Sequence, residues 1–195
     1  MGRHVARPRQ ISNEDILSTA RSVFIKQGPG ASTGAIADAL GVSSPALFKR
    51  FGNKEERMLA ALSPPALPPW VEFIRKGPGD GTLREELHAI VTQVARFFGE
   101  FVPCLAVLRA SGIDHEALMV RYKAGPPPLV AIQSMKAWID RAKERGLIGA
   151  SVDSLAGATL VLGSIHLRSF LDHITMGQSD LPAIDDPVQL DHVVQ

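Results

Sequence analysis

Between Thr33 and Glu56 the chain reads TGAIADALGVSSPALFKRFGNKEE, two short helical patterns split by Gly41-Val42-Ser43-Ser44-Pro45. Neither piece could stand alone, because an isolated helix shorter than roughly 12 residues does not recover its nucleation cost. Tertiary packing must hold both. Two helices that meet steeply through a three- or four-residue turn need a small residue at the contact and a residue tolerant of positive φ in the turn. Ala37 and Gly41 stand at those places. Ile36, Leu40, Val42, Leu47 and Phe51 are expected to point into a shared core fed by Val23 and Phe24. Ser43 or Ser44 caps the second helix, and Pro45 in its first turn gives up no hydrogen bond. Asn53 and Glu56 then form an N-x-x-E capping signal for a third helix carrying Met58, Leu59 and Leu62.

This is helix-turn-helix chemistry, in which a short second helix enters a DNA major groove. Seven residues span roughly 10 Å, close to the width of that groove. The outward positions are Ser44, Pro45, Ala46, Phe48, Lys49 and Arg50. A hydroxyl and a cation there can bond base edges, Pro45 and Ala46 can touch a thymine methyl, and the remaining cation can hold phosphate. Asn53 and Lys54 place a helix amino terminus, with its free donors, against the same strand. Ser32 reads as the cap of the motif's first helix. Charge agrees: residues 1–57 carry nine Lys or Arg against five Asp or Glu, and the remainder twelve against fifteen. A basic first quarter fits a polyanionic partner.

With those residues in view, the chain resembles the TetR/AcrR family of bacterial transcription regulators over about Ser12 to Leu62. The resemblance rests on Phe24-x-x-x-Gly28, Ile36-Ala37, Gly41-Val42-Ser43, Leu47-Phe48-x-x-Phe51 and Asn53-Lys54-Glu55. It implies a DNA-binding domain at 10–62, with the motif at about 33–52, and a ligand-binding and dimerisation domain at 63–195. The candidate DNA contacts are Ser32, Thr33, Ser43, Ser44, Pro45, Ala46, Phe48, Lys49, Arg50 and Lys54. Three departures stand out. Phe48 replaces a common tyrosine, the loop at Pro29 to Thr33 is one residue short and lacks the usual aromatic, and prolines 64, 65, 68 and 69 interrupt what is elsewhere a continuous fourth helix.

Outside the motif the periodicity is helical throughout, and the expected class is all-α. The first ten residues read as a disordered basic arm, and Ser12 with Asp15 opens a helix that ends at Gly28-Pro29-Gly30. The proline-rich break at 63–69 marks the expected domain boundary, followed by a short apolar helix around Trp70 to Arg75. Thr82 and Glu85 cap a long helix, Pro103 marks a bend into another, Gly125-Pro126-Pro127-Pro128 leads to a helix from Leu129 to Ala142, and a last long helix runs from about Ser151 to Thr175. Asp186 to Gln195 reads as the start of one more.

That last helix is apolar nearly all round, so it must be covered on two sides, and one side is expected to pack on a symmetry mate. The resemblance also implies a homodimer and a small-molecule effector, a partly apolar one by the lining on offer: Phe97, Phe101, Arg109, Trp138 and His166 are the candidate contacts. No apolar run approaches the roughly 18 to 20 residues of a membrane span, the amino terminus lacks a signal peptide's hydrophobic stretch, and a cytoplasmic protein without a membrane partner is expected. Cys104 is the only cysteine, which excludes an internal disulfide and a multi-cysteine zinc site. His115-Glu116 lacks a second histidine, and His166 and His173 read as ordinary helix histidines, so neither a metal nor a cofactor is expected.

The expected function is therefore a ligand-responsive repressor on a palindromic operator, and not an enzyme. One alternative is a ligand-free architectural DNA protein. Another is a hydrolase using Ser32, since Gly30-Ala31-Ser32-Thr33-Gly34 matches G-x-S-x-G; that match lacks the preceding strand a nucleophile elbow requires.

Overall fold

Capping residues fix where the helices begin. In a computed structural model, which describes residues 11–45, 52–114, 116, 119 and 126–178, the helices are α1 (Asn13–Gln27), α2 (Thr33–Leu40), α3 (Lys54–Leu62), α4 (Pro69–Arg75), α5 (Leu83–Ala110), α6 (Pro127–Glu144) and α7 (Ser154–Ile174). The described residues contain no strand, so the class is all-α. The basic arm at 1–10, the segment 46–51, His115 and the tail from Asp186 lie outside the described residues. The chain divides into two units: Met1–Ser63 with Ala106–Ile113, and Pro64–Leu105 with Asp114–Gln195.

In the first unit Ser12 and Asp15 exchange capping bonds, with the Asp15 N–H donating to Ser12 Oγ at 3.0 Å and the Ser12 N–H to Asp15 Oδ2 at 3.0 Å. α1 then buries Ile16, Ala20 and Phe24, the i, i+4, i+8 stripe of its sequence. It packs on α2 and α3. The Arg21 Nε donates to the Ala61 carbonyl at 2.8 Å and fastens α1 to the end of α3. α3 stops at Ser63, whose extended backbone is what a residue before proline prefers.

The second unit is built around Trp70, Val71 and Ile74 of α4, Ile90 and Val94 of α5, Met135, Trp138 and Ile139 of α6, and Ala158, Leu162 and Ile165 of α7. Its connections are tied by cations at the carboxyl end of α6. Arg141 Nη2 donates to the Ile74 carbonyl at 3.0 Å, Arg145 Nη1 to the Gly79 carbonyl at 2.7 Å, and Lys143 Nζ to the Val152 carbonyl at 2.6 Å. Arg141 thus adds a second donor to the Ile74 carbonyl, which also accepts from the Gly77 N–H at 3.0 Å at the end of α4. At the other end of this set, Asp153 caps α7 by accepting from Leu155 and Ala156, and those N–H groups hold its carboxyl below the usual carboxylate range.

Three expectations are corrected. Pro103 does not divide two helices: α5 runs unbroken from Leu83 to Ala110 with the proline inside it. The carbonyl that loses its partner belongs to Gly99, which is exposed and open to solvent, so the interruption is cheap. The hydropathy of α5 and α7 is also higher than an uninterrupted-run criterion suggests. By length and composition alone each could cross a membrane. Arg96 and Glu100 interrupt the apolar residues of α5, and Arg168 and Asp172 those of α7, so no long uncharged run forms. α6 begins at Pro127 rather than Leu129, because prolines suit the first helical turn.

Trp138 is fully buried, and its indole N–H finds no acceptor among the described residues. Trp138→Ala should cost the second unit about 3–5 kcal/mol through the cavity it leaves. Trp138→Phe should cost much less, since it also removes the unpaired donor; denaturant unfolding of the two variants measures the difference.

Candidate nucleic-acid interface

The first helix of the motif starts on Ser32, whose Oγ accepts from the Ala35 N–H at 3.0 Å. This occupies the hydroxyl as a helix cap, and no strand holds it on an elbow. α2 buries Ile36 and Ala37 and leaves Leu40 half-buried. It closes on Gly41, left-handed at φ 68°, with the Gly41 N–H donating to the Asp38 carbonyl at 3.2 Å and the Val42 N–H to the Ala37 carbonyl at 3.0 Å. A side chain at Gly41 would strain that conformation by roughly 1 kcal/mol. Helical backbone resumes at Ser44 and Pro45.

Of the candidate DNA contacts, Ser32, Ser43 and Pro45 are exposed, and Thr33, Ser44 and Lys54 are half-buried. Ala46, Phe48, Lys49 and Arg50, with the core positions Leu47 and Phe51, lie outside the described residues. Downstream, Asn53 and Glu56 complete the expected capping box. The Glu56 N–H donates to Asn53 Oδ1 at 2.9 Å, and the Asn53 N–H to Glu56 Oε2 at 3.0 Å. Gly52 before it is left-handed at φ 62°. That φ would strain any other side chain, and a Cβ there would also displace the Glu56 carboxylate from the box.

Arg57 is a residue that sequence reasoning misses. Countable there only as one more basic residue, it is 1% exposed. Its Nη1 donates to the Gly52 carbonyl at 2.6 Å and its Nη2 to Thr33 Oγ1 at 2.7 Å. One planar guanidinium therefore joins the first residue of α2 to Gly52, the residue before the cap of α3, and these two positions bracket the helix-turn-helix segment. Burial lowers its pKa from the ordinary arginine value, and the neighbouring Glu56 carboxylate opposes that shift. A signal for it exists: Arg57, Met58, Ala61 and Leu62 follow the i, i+1, i+4, i+5 spacing of one buried face. Thr33 is thereby engaged inside the unit as an acceptor for this cation.

Phe97, Phe101, Trp138 and His166 belong to the second unit, where Phe97 also meets Phe98 edge-on at 5.6 Å. Phe97 and Phe101 stack at a centroid distance of 4.6 Å, Trp70 meets Phe97 edge-on at 6.2 Å, and Phe98 meets the exposed His166 at 4.8 Å. Trp138 sits in the core of the same unit. Arg109 is exposed and belongs to the other unit. Among the described residues no three His, Cys, Asp or Glu side chains gather as metal ligands.

Residues 16–61 match the family described as Bacterial regulatory proteins, tetR family. No curated relative matches the sequence. Solved structures share the fold over nearly the whole chain. PfmR, a TetR family transcriptional regulator from Thermus thermophilus, superposes with a TM-score of 0.66 at 23% identity, covering 92% of this chain and 96% of its own. The fatty acid degradation regulator FadR from Bacillus halodurans gives 0.65 at 17% identity over 94% and 97%. FadR from Bacillus subtilis, solved with stearoyl-CoA, gives 0.65 at 14% identity over 94% and 97%.

A double-mutant cycle tests the Arg57 clasp. Thr33→Val should destabilise the first unit by about 1.5–3 kcal/mol, the range for a hydrogen bond to a charged group. In an Arg57→Met background the same change should cost little; chemical denaturation of the four proteins gives the coupling.

Proposed function

Since the chain belongs, by its amino-terminal domain and its fold, to the tetR family of bacterial regulatory proteins, we propose that it is a homodimeric repressor that leaves a palindromic DNA operator when a small molecule binds. The observation that carries this reading is the closed turn at Gly41, from which a second helix starts at Ser44 with its flanks pinned by the Arg57 clasp. A frame fixed on both sides of the segment suits a short helix that reads base edges. Residues 10–62 are assigned to DNA and 63–195 to effector and dimer. Ser44, Pro45, Ala46, Phe48, Lys49 and Arg50 face the groove, while Ser32, Thr33, Ser43 and Lys54 lie beside the phosphates. The protein works in the cytoplasm, where its operator is.

The dimer is supported by α7, which leaves Leu160 at 72%, Leu167 at 55% and Ile174 at 54% exposed while Leu162 and Ile165 are buried. A helix so apolar on its outer side gains by packing on a second copy. The stearoyl-CoA bound to the Bacillus subtilis neighbour is precedent for a partly apolar effector in this fold. An effector with higher affinity for the dimer geometry that does not fit the operator lowers DNA affinity by that difference in free energy.

Arg50→Ala should weaken operator binding by about 5- to 150-fold, the loss of one good base contact, without changing the melting curve. Operator fragments selected from genomic DNA and measured by mobility shift give the comparison, and unchanged affinity would remove Arg50 from the groove. Lengthening the spacer between half-sites by about half a turn should weaken binding as well. Leu160→Glu combined with Leu167→Glu should yield monomers in light scattering; a dimer that survives both charges would place the contact elsewhere.

A further inference from the structure

Between α4 and α6 of the second unit lies a cleft of about 530 Å³, within the range of small-molecule sites. Arg75 and Arg141 line it, with Gln133 and Ser134 as neutral polar groups, and Leu129 and Val130 belong to its apolar wall. Among the described residues no Asp or Glu lines it. The two guanidiniums are held in place from behind. Arg141 Nη2 donates to the carbonyls of Ile74 and Arg75 at 3.0 and 3.4 Å, and Arg75 Nε donates to Ser134 Oγ at 3.3 Å. Ser134 is itself fixed by donating to the Val130 carbonyl at 2.8 Å. Arg141 Nε is buried, and no acceptor meets it among the described residues. That Nε lies against Gly77, so a ligand in the cleft would meet the arginines through their other nitrogens.

From this pairing of fixed, uncompensated guanidiniums with an apolar wall, we propose that the cleft binds an organic acid: a carboxylate held by Arg75 and Arg141, with an aliphatic tail along Leu129, Val130 and Ala137. The planar fork of arginine matches a carboxylate in two contacts. Mono-anionic acids suit this cleft better than inorganic phosphate, because the wall offers apolar contact that phosphate cannot use and the burial of a second negative charge would go unrewarded. The site shares no lining residue with the Phe97, Phe98 and His166 ring contacts, and its occupancy does not depend on the operator reading.

Octanoate is the probe, titrated into the full-length protein by calorimetry and by the fluorescence of Trp70 and Trp138, which stand on the same two helices. Octanoate should bind at least about tenfold more tightly than octanol, acetate or inorganic phosphate, since each rival lacks either the charge or the tail. Arg75→Gln should weaken octanoate about tenfold and leave octanol unchanged. Arg75 is exposed and makes one long bond to Ser134, so this variant should melt as the parent does. If it does not, Leu129→Asp is the judge, because Leu129 is 59% exposed and a carboxylate there should abolish octanoate binding without touching the core. Octanol binding as tightly as octanoate, phosphate competing on equal terms, or octanoate affinity indifferent to both substitutions would each overturn the proposal. So would octanoate affinity that rises on dilution to monomer, which would make the cleft a contact between copies.

Discussion

A single buried guanidinium bridges the two loops on which the amino-terminal unit turns. Arg57 reaches Thr33 at the start of α2 and the Gly52 carbonyl at the approach to α3. Between those anchors lies the whole helix-turn-helix segment. Taking an arginine out of water is expensive, and the expense is recovered only where charged hydrogen bonds have good geometry. An apolar residue in its place would fill the volume and keep the unit folded, yet it would fix neither loop. Arginine's flat, five-donor head couples two distant acceptors at one angle, which favours a defined register over maximal stability. The neighbouring requirements follow from it. Gly52 suits its left-handed φ of 62° beside the folded-back Glu56 carboxylate, and the same turn of α3 that supplies Glu56 supplies Arg57.

The carboxyl-terminal unit repeats the device with different partners. Arg141, Arg145 and Lys143, clustered near the end of α6, each donate to a carbonyl of another segment: the end of α4, the loop that follows it, and the loop before α7. Cations at a helix carboxyl end are favoured by the dipole in any case. Here their reach is used to gather loops that have no regular structure of their own. The short α4, cut off by prolines on one side and by Gly77 on the other, could not hold its place on seven residues alone. Trp70, Val71 and Ile74 anchor it in the core while Arg141 donates to the Ile74 and Arg75 carbonyls at its end, beside the cleft between α4 and α6.

Much of this is legible without coordinates. Ser12 with Asp15, Asn53 with Glu56 and Thr82 with Glu85 carry the signature of capping pairs, and each makes its bonds. Gly41 stands where a positive-φ turn residue is needed, and its φ is 68°. The all-α class follows from period, and the family from the spacing of its motif. Pro103 misleads, because the rule that proline ends a helix ignores whether the abandoned carbonyl can reach water. Arg57 escapes notice, although its place in the buried stripe can be counted, because a charge is expected outside. Leu129, Arg75 and Arg141 do not announce themselves as a set, because they lie on two helices far apart along the chain.

The amino-acid sequence by itself determined the helix starts, the glycine turn and the family's motif, since these depend on residues three or four apart and on φ preferences that each residue carries with it. Only the tertiary structure decided which cation goes inside, which face of α7 stays bare and which arginines share a cleft. Those outcomes rest on partners 24 positions away for Arg57 with Thr33 and 67 away for Arg141 with Ile74. Contacts at that range exist only once apolar burial has closed the chain, because the entropy of closing such loops is met by the core as a whole and not by the polar pair.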